Sequence, residues 1–107
     1  MLLIVWQFRP APGREAEFVR AYGADGPWVS LFKKASGYRE SVLAQDSSDP
    51  DRFLVLDWWD SDASFAAFER EHAAEYATID ASCEALCAEE RPLGRFRVPP
   101  GPLGAER

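Results

Sequence analysis

Residues 52–59 read Arg52-Phe53-Leu54-Val55-Leu56-Asp57-Trp58-Trp59, a run rich in the aromatic and β-branched side chains that suit an extended backbone. Successive side chains of a strand face opposite ways, so Phe53, Val55, Asp57 and Trp59 share one side and Leu54, Leu56 and Trp58 the other. Both sides are apolar, apart from one carboxylate. Leu2-Leu3-Ile4-Val5-Trp6-Gln7-Phe8 repeats the pattern, setting Ile4, Trp6 and Phe8 against Leu3 and Val5. A one-sided antiparallel sheet would alternate apolar with polar residues, so strands of this kind require cover on both faces.

The segments around these strands supply only part of that cover. Pro10-Ala11-Pro12-Gly13 stops the first strand, and Phe18, Ala21 and Tyr22 then recur at helical spacing. Gly23-Ala24-Asp25-Gly26 interrupts the helix. Pro27 suits a first helical position, Trp28, Leu31, Phe32 and Ala35 continue the apolar stripe, and Ser36-Gly37 ends it. Tyr38 to Ala44 and Arg52 to Trp59 pair antiparallel across the polar turn residues Asp46 to Asp51. Ser61 is an N-cap with Asp62 in the first turn, followed by Phe65, Phe68 and His72 at helical spacing. The helical pattern resumes through Tyr76, Ile79, Asp80, Cys83, Leu86 and Cys87, and Leu93 to Val98 reads as a short last strand.

The order strand, helix, strand, strand, helix, strand is that of a ferredoxin-like α+β fold, one domain over residues 1–98 with a Pro/Gly-rich tail at 99–107. Right-handed crossovers put both helical layers on one side of the sheet. The face carrying Leu3, Val5, Leu54, Leu56 and Trp58 is then left for a second copy of the chain, because the tail is too poor in apolar residues to cover it. A homodimer through this face is the expectation.

Composition narrows the function classes. The 107 residues are 47% hydrophobic and 13% aromatic, with four Trp and seven Phe, which rules out a disordered chain. A net charge of −6 disfavours nucleic acid and anionic membranes. The first eight residues carry no basic leader and are far shorter than the ~20 apolar residues of a membrane span, so a cytoplasmic protein is expected. Cys83 and Cys87, placed four apart in the helical stretch, lack the further ligands of a zinc site and read as core residues. No metal or cofactor is called for.

Trp6, Phe8, Asp57 and Trp59 point toward the helices, where Tyr22, Trp28, Phe32, Phe65, Phe68 and Tyr76 meet them. The same rings serve either as ordinary core or as the walls of a cleft for a flat aromatic ligand. Asp57 is the most informative residue, because a carboxylate within an apolar strand is costly unless paired or reached by water. Arg39 or Arg52 could pair with it; alternatively it lines a cavity, where burial raises its pKa and makes it a better base. His72, the only histidine, titrates in a useful range, yet beside Arg70 and Glu71 it also reads as a solvated helix residue.

Two motifs carry a family resemblance. Pro12-Gly13-Arg14-Glu15-Ala16-Glu17-Phe18 resembles the turn into helix one of the antibiotic biosynthesis monooxygenases, within the dimeric α/β-barrel superfamily. Asp57-Trp58-Trp59-Asp60-Ser61-Asp62-Ala63-Ser64-Phe65 resembles that family's acidic residue, tryptophan and helix cap. The blocks 26–34 and 76–84 resemble an uncharacterised subgroup.

The resemblance, over roughly residues 2–98, implies one of two chemistries. One is cofactor-free oxidation of small or polycyclic phenols by O2. There Asp57 or His72 would remove a proton, Tyr76 or Trp59 would hold the substrate oxygen, and Trp6, Phe8, Tyr22, Trp28, Phe32, Phe65 and Phe68 would form the cleft. The other is heme degradation, which uses an Asn on strand one, a Trp ending strand three and a His on the second helix. Trp59 matches the Trp, but Trp6 and Thr78 fall at the other two positions, which disfavours it. A non-catalytic dimer that binds a small aromatic ligand is the competing class.

Overall fold

The computed structural model describes residues 1–99, so the expected tail lies, beyond Pro99, outside the described residues. Strand β1 (Leu2–Pro10) leads to helices α1 (Glu15–Tyr22) and α2 (Pro27–Phe32), then the hairpin of β2 (Tyr38–Gln45) and β3 (Phe53–Trp59). Helices α3 (Asp62–Glu71) and α4 (Ala73–Cys83), a 3-10 turn (Glu84–Leu86) and β4 (Cys87–Arg97) complete the chain. The four strands form one antiparallel sheet in the order β2-β3-β1-β4, the ferredoxin-like α+β arrangement.

The breaks within each helical layer have local causes. Gly26 lies so close to the end of α1 that a Cβ there would meet the Ala21 carbonyl oxygen at 2.2 Å, and Pro27 then opens α2. Ser61 caps α3 by accepting from the Ser64 backbone N–H, and the Ser64 hydroxyl accepts from the Ser61 N–H in return, a reciprocal capping box. α3 stops at His72, which also precedes α4.

The last strand corrects the sequence reading. It runs eleven residues from Cys87 rather than from Leu93, and Leu86 and Cys87 lie outside α4, the first in the 3-10 turn and the second in the strand. Cys83 closes α4 while Cys87 opens β4, so the two do not share a helix face. β4 is an edge strand that lies largely exposed, so its first half, Ala88-Glu89-Glu90-Arg91, shows no apolar alternation that would mark it. Pro92, which lacks an N–H, sits at the register shift opposite Trp6, and Gly94 follows with φ +151°.

Between sheet and helices lies the core, with Leu2, Phe18, Trp59 and Phe68 wholly buried. The opposite face carries apolar side chains in register across the strands. Phe96, Leu3 and Trp58 form one row and Val5, Leu56 and Val42 the next. Phe96 is 49% exposed and Leu3 and Leu56 are half-buried, whereas Val5 and Trp58 are already buried within the chain. Toward one end of this face the buried Gln7 donates to Glu89 at 2.7 Å and accepts from Arg52 at 2.8 Å, which satisfies its amide. No helix among the described residues is long and apolar enough to cross a membrane.

Candidate functional site

A cavity of about 50 Å3 lies between the sheet and the helices. β1 contributes Trp6 and Phe8, β3 Val55 and Asp57, β2 Ser41 and β4 Glu90; α1 adds Tyr22, α2 Trp28, Val29 and Phe32, and α4 Tyr76. The aromatic wall is continuous: Phe8 meets Tyr22 at 4.7 Å between ring centroids, Tyr22 meets Trp28 at 6.2 Å, and Trp28 meets Tyr76 edge-on at 4.9 Å.

Asp57 is the polar centre of this wall. It is only 7% exposed, and its Oδ1 accepts from the Ser41 hydroxyl at 2.6 Å. Ser41 in turn accepts from the Tyr38 hydroxyl at 2.8 Å, so two hydroxyls in series point their protons at the carboxylate. Burial pushes the Asp57 pKa up to about 6, against the opposing pull of the Ser41 hydrogen bond. The arginines offered as its partners are engaged elsewhere. Arg39 pairs with Asp60, and Arg52 binds Asp46 and Gln7. Arg39 falls where the β2–β3 register shifts and Arg52 reaches the other side of the sheet, so neither faces Asp57. The acid therefore has a neutral partner, not a cation.

Seven of the sequence-proposed residues come together at the cavity: Trp6, Phe8, Tyr22, Trp28, Phe32, Asp57 and Tyr76. Trp59, Phe65, Phe68 and His72 do not line it. Trp59 ends β3 one pleat beyond Asp57, under α3, where Phe65 and Phe68 close over it at 5.1 and 5.0 Å and leave it 0% exposed. The His72 ring stacks on Phe68 at 5.5 Å, and its Nδ1 lies 2.8 Å from Glu75, a residue that also holds Lys34. Its site is the junction of α3 and α4, not the cavity. Thr78, at the position where a heme-degrading relative would carry histidine, is exposed and donates back to Ala74 at 3.1 Å. No imidazole lines the cavity among the described residues.

Sequence reasoning missed the polar lining residues Ser41 and Glu90, along with the apolar Val29 and Val55. Ser41 stands directly across the ladder from Asp57, so the hairpin register alone would have found it. Glu90 lies in the half of β4 that was unrecognised; burial raises its pKa, and Asp80 and Glu84 add to the rise. Tyr22 and Tyr76 are also held above the ordinary phenol range, mainly by burial. Cys87 donates weakly to the Tyr22 hydroxyl at 3.7 Å. The indole N–H groups of Trp28 and Trp59 are buried without a hydrogen-bond partner.

The fold and site thus define a ferredoxin-like α+β domain with an aromatic cavity built around one buried acid. The model of the antibiotic biosynthesis monooxygenase family matches residues 1–78, and the chain belongs to that family. The same fold is seen in a provisionally named antibiotic biosynthesis monooxygenase from Chloroflexus aurantiacus, at 24% identity, TM-score 0.63 and 94% coverage of each chain. An uncharacterized NIPSNAP domain protein from Burkholderia xenovorans shares it at 19% identity and TM-score 0.68, over 94% of this chain and 95% of that one. A conserved protein from Methanosarcina mazei does so at 16% identity and TM-score 0.67, over 90% of each. No protein of curated function matches the chain.

Proposed function

We propose that the chain is a cofactor-independent oxygenase of a small phenol or hydroquinone, with Asp57 as the base. The observation that carries this reading is a carboxylate buried in an aromatic cavity, held by a neutral hydroxyl and brought to a pKa of about 6. A base poised near the working pH both accepts a proton readily and is mostly free to do so. Ser41 occupies Oδ1, so the second carboxylate oxygen is the one that takes the substrate proton. The resulting aryloxide, in surroundings of low polarity, adds O2 at a ring carbon and takes the proton back from Asp57; loss of water from the hydroperoxide leaves a quinone. One oxygen atom ends in the product and the other in water, and the substrate supplies all four electrons that reduce O2.

Cavity size narrows the substrate. An apolar cavity of about 150 Å3 accepts benzene, so a space of about 50 Å3 admits one ring only after Tyr76, the half-buried lining residue on α4, swings outward. Polycyclic phenols are too large. Tyr76 is also the nearest candidate to hold a substrate oxygen, whereas Trp59 and His72, placed away from the cavity, take no part.

The test is oxygen uptake with hydroquinone or another one-ring phenol such as catechol. Wild type is expected to turn over, with Asp57→Asn slower by a factor of about 100 or more and Tyr76→Phe by a smaller factor. Equal rates in wild type and Asp57→Asn would refute Asp57 as base. Quenching of tryptophan fluorescence by the same compounds with no oxygen uptake would instead favour a binding module.

The reading includes two further elements. A second copy covers the apolar sheet face bearing Leu3, Val5, Leu54, Leu56 and Trp58, to which Val42 and Phe96 add exposed area. The unpaired thiols of Cys83 and Cys87 fit a reducing compartment, the cytoplasm.

A further inference from the structure

Two carboxylates line the cavity, Asp57 in its buried wall and Glu90 on exposed β4, and no lysine, arginine or histidine does so among the described residues. Three basic side chains on or beside the surrounding elements are held away from the cavity. Lys34 holds Glu75, Arg39 holds Asp60, and the Arg95 guanidinium lies 4.9 Å over the Phe65 ring. The acidic character extends past the lining, since Asp80 and Glu84 both act on Glu90. Burial is what chiefly raises the Tyr22 and Tyr76 hydroxyls of the wall, and the charge of Glu90 adds to that rise in both.

This field sets a rule for ligands. Proton transfer from a phenol to Asp57 moves one negative charge from the carboxylate to the ring oxygen, so the total charge of the site does not change. A carboxylate on the ligand adds a charge that has no cation to meet. Confined in so small a cavity, it also lies within several ångströms of Glu90. At an effective dielectric constant of about 20, two such charges repel enough to weaken binding roughly tenfold or more.

We propose that the cavity selects one-ring phenols and hydroquinones bearing no acidic substituent, and that Glu90 is the residue that turns carboxylated analogues away. The choice of ring chemistry rests on the oxygenase reading; charge selection belongs to binding and is tested apart from turnover. The probes are hydroquinone and 2,5-dihydroxybenzoate, titrated without oxygen at about pH 8 and followed by the fluorescence of Trp6 and Trp28.

Wild type is expected to bind hydroquinone at least about tenfold more tightly than the benzoate. Glu90→Gln should narrow that ratio by about fivefold or more, and Glu90→Lys should narrow it further or invert it. Equal affinities in wild type, or one ratio shared by all three proteins, would overturn the assignment of Glu90. Absence of quenching by either probe would overturn the ligand class itself. Discrimination without any oxygen uptake once air is admitted would sink the oxygenase reading and leave charge selection standing.

Discussion

Asp57 shows how one residue can be costly to the fold and useful to the site. Its folded-state pKa near 6 exceeds the 3.8 of an ordinary aspartate, so between about pH 4 and 6 the folded chain keeps a proton that the unfolded chain releases. Stability therefore falls as pH rises through that window, and the full penalty, up to about 3 kcal/mol, is present above it. Asp57→Asn should stabilise the protein against urea by up to that amount at about pH 8 and by almost nothing near pH 4. Matching urea midpoints for variant and wild type at the higher pH would contradict the buried charge. Ser41 opposes the shift, so Ser41→Ala should move the Asp57 titration further alkaline by about one unit, with Ser41→Thr restoring it, as read by NMR of the carboxyl carbon. The sequence made Asp57 legible because a lone acid in an apolar strand has few explanations. Its partner was not legible from residue type, since an arginine looks the better match for a carboxylate. Only the strand register reveals that a serine stands opposite.

The elements that hold this site depend on close approaches between neighbours. The Gly37 carbonyl accepts from the Asp60 N–H at 2.8 Å, and a Cβ on Gly37 would stand 2.3 Å from the Ser64 Cβ, in the first turn of α3. Gly37→Ala must therefore push α3 off the end of β3, and should lower stability by about 2 kcal/mol in a thermal or urea melt. Ser61→Ala removes the cap of the same helix and should cost about 1 kcal/mol. A Gly37→Ala protein as stable as wild type would mean that α3 is free to move there. α1, α2 and the start of α3 were legible because Gly23 to Gly26 mark a stop and Pro27 and Ser61 mark starts, whereas nothing in the spacing marked the break between α3 and α4 at His72. β4 was not, for a reason rooted in its place at the edge of the sheet. With one neighbouring strand and a mostly exposed surface, it needs no alternating pattern, and the apolar residues Cys83, Leu86 and Cys87 happen to continue a helical spacing across the turn.

At the scale of the molecule, the question is what meets the sheet on the side away from the helices. The apolar rows Phe96-Leu3-Trp58 and Val5-Leu56-Val42 run across strands and not along one, so they present a patch broad enough for a flat partner. The alternation in β1 and β3 made this face legible from sequence. It overstated how bare the face is, because Val5 and Trp58 are already buried within one chain. The case for a second copy rests on the others: Leu3 and Leu56 half-buried, Val42 and Phe96 exposed, all on one side. Light scattering at micromolar concentration should report twice the 12.0 kDa of the chain. Leu56→Glu puts a charge in the middle of the patch without touching the helix-side core, so it should yield a folded species of single-chain mass. Its circular dichroism should match that of wild type, which separates loss of pairing from loss of fold. A wild-type protein that stays monomeric and unaggregated at that concentration would show that the face needs no partner.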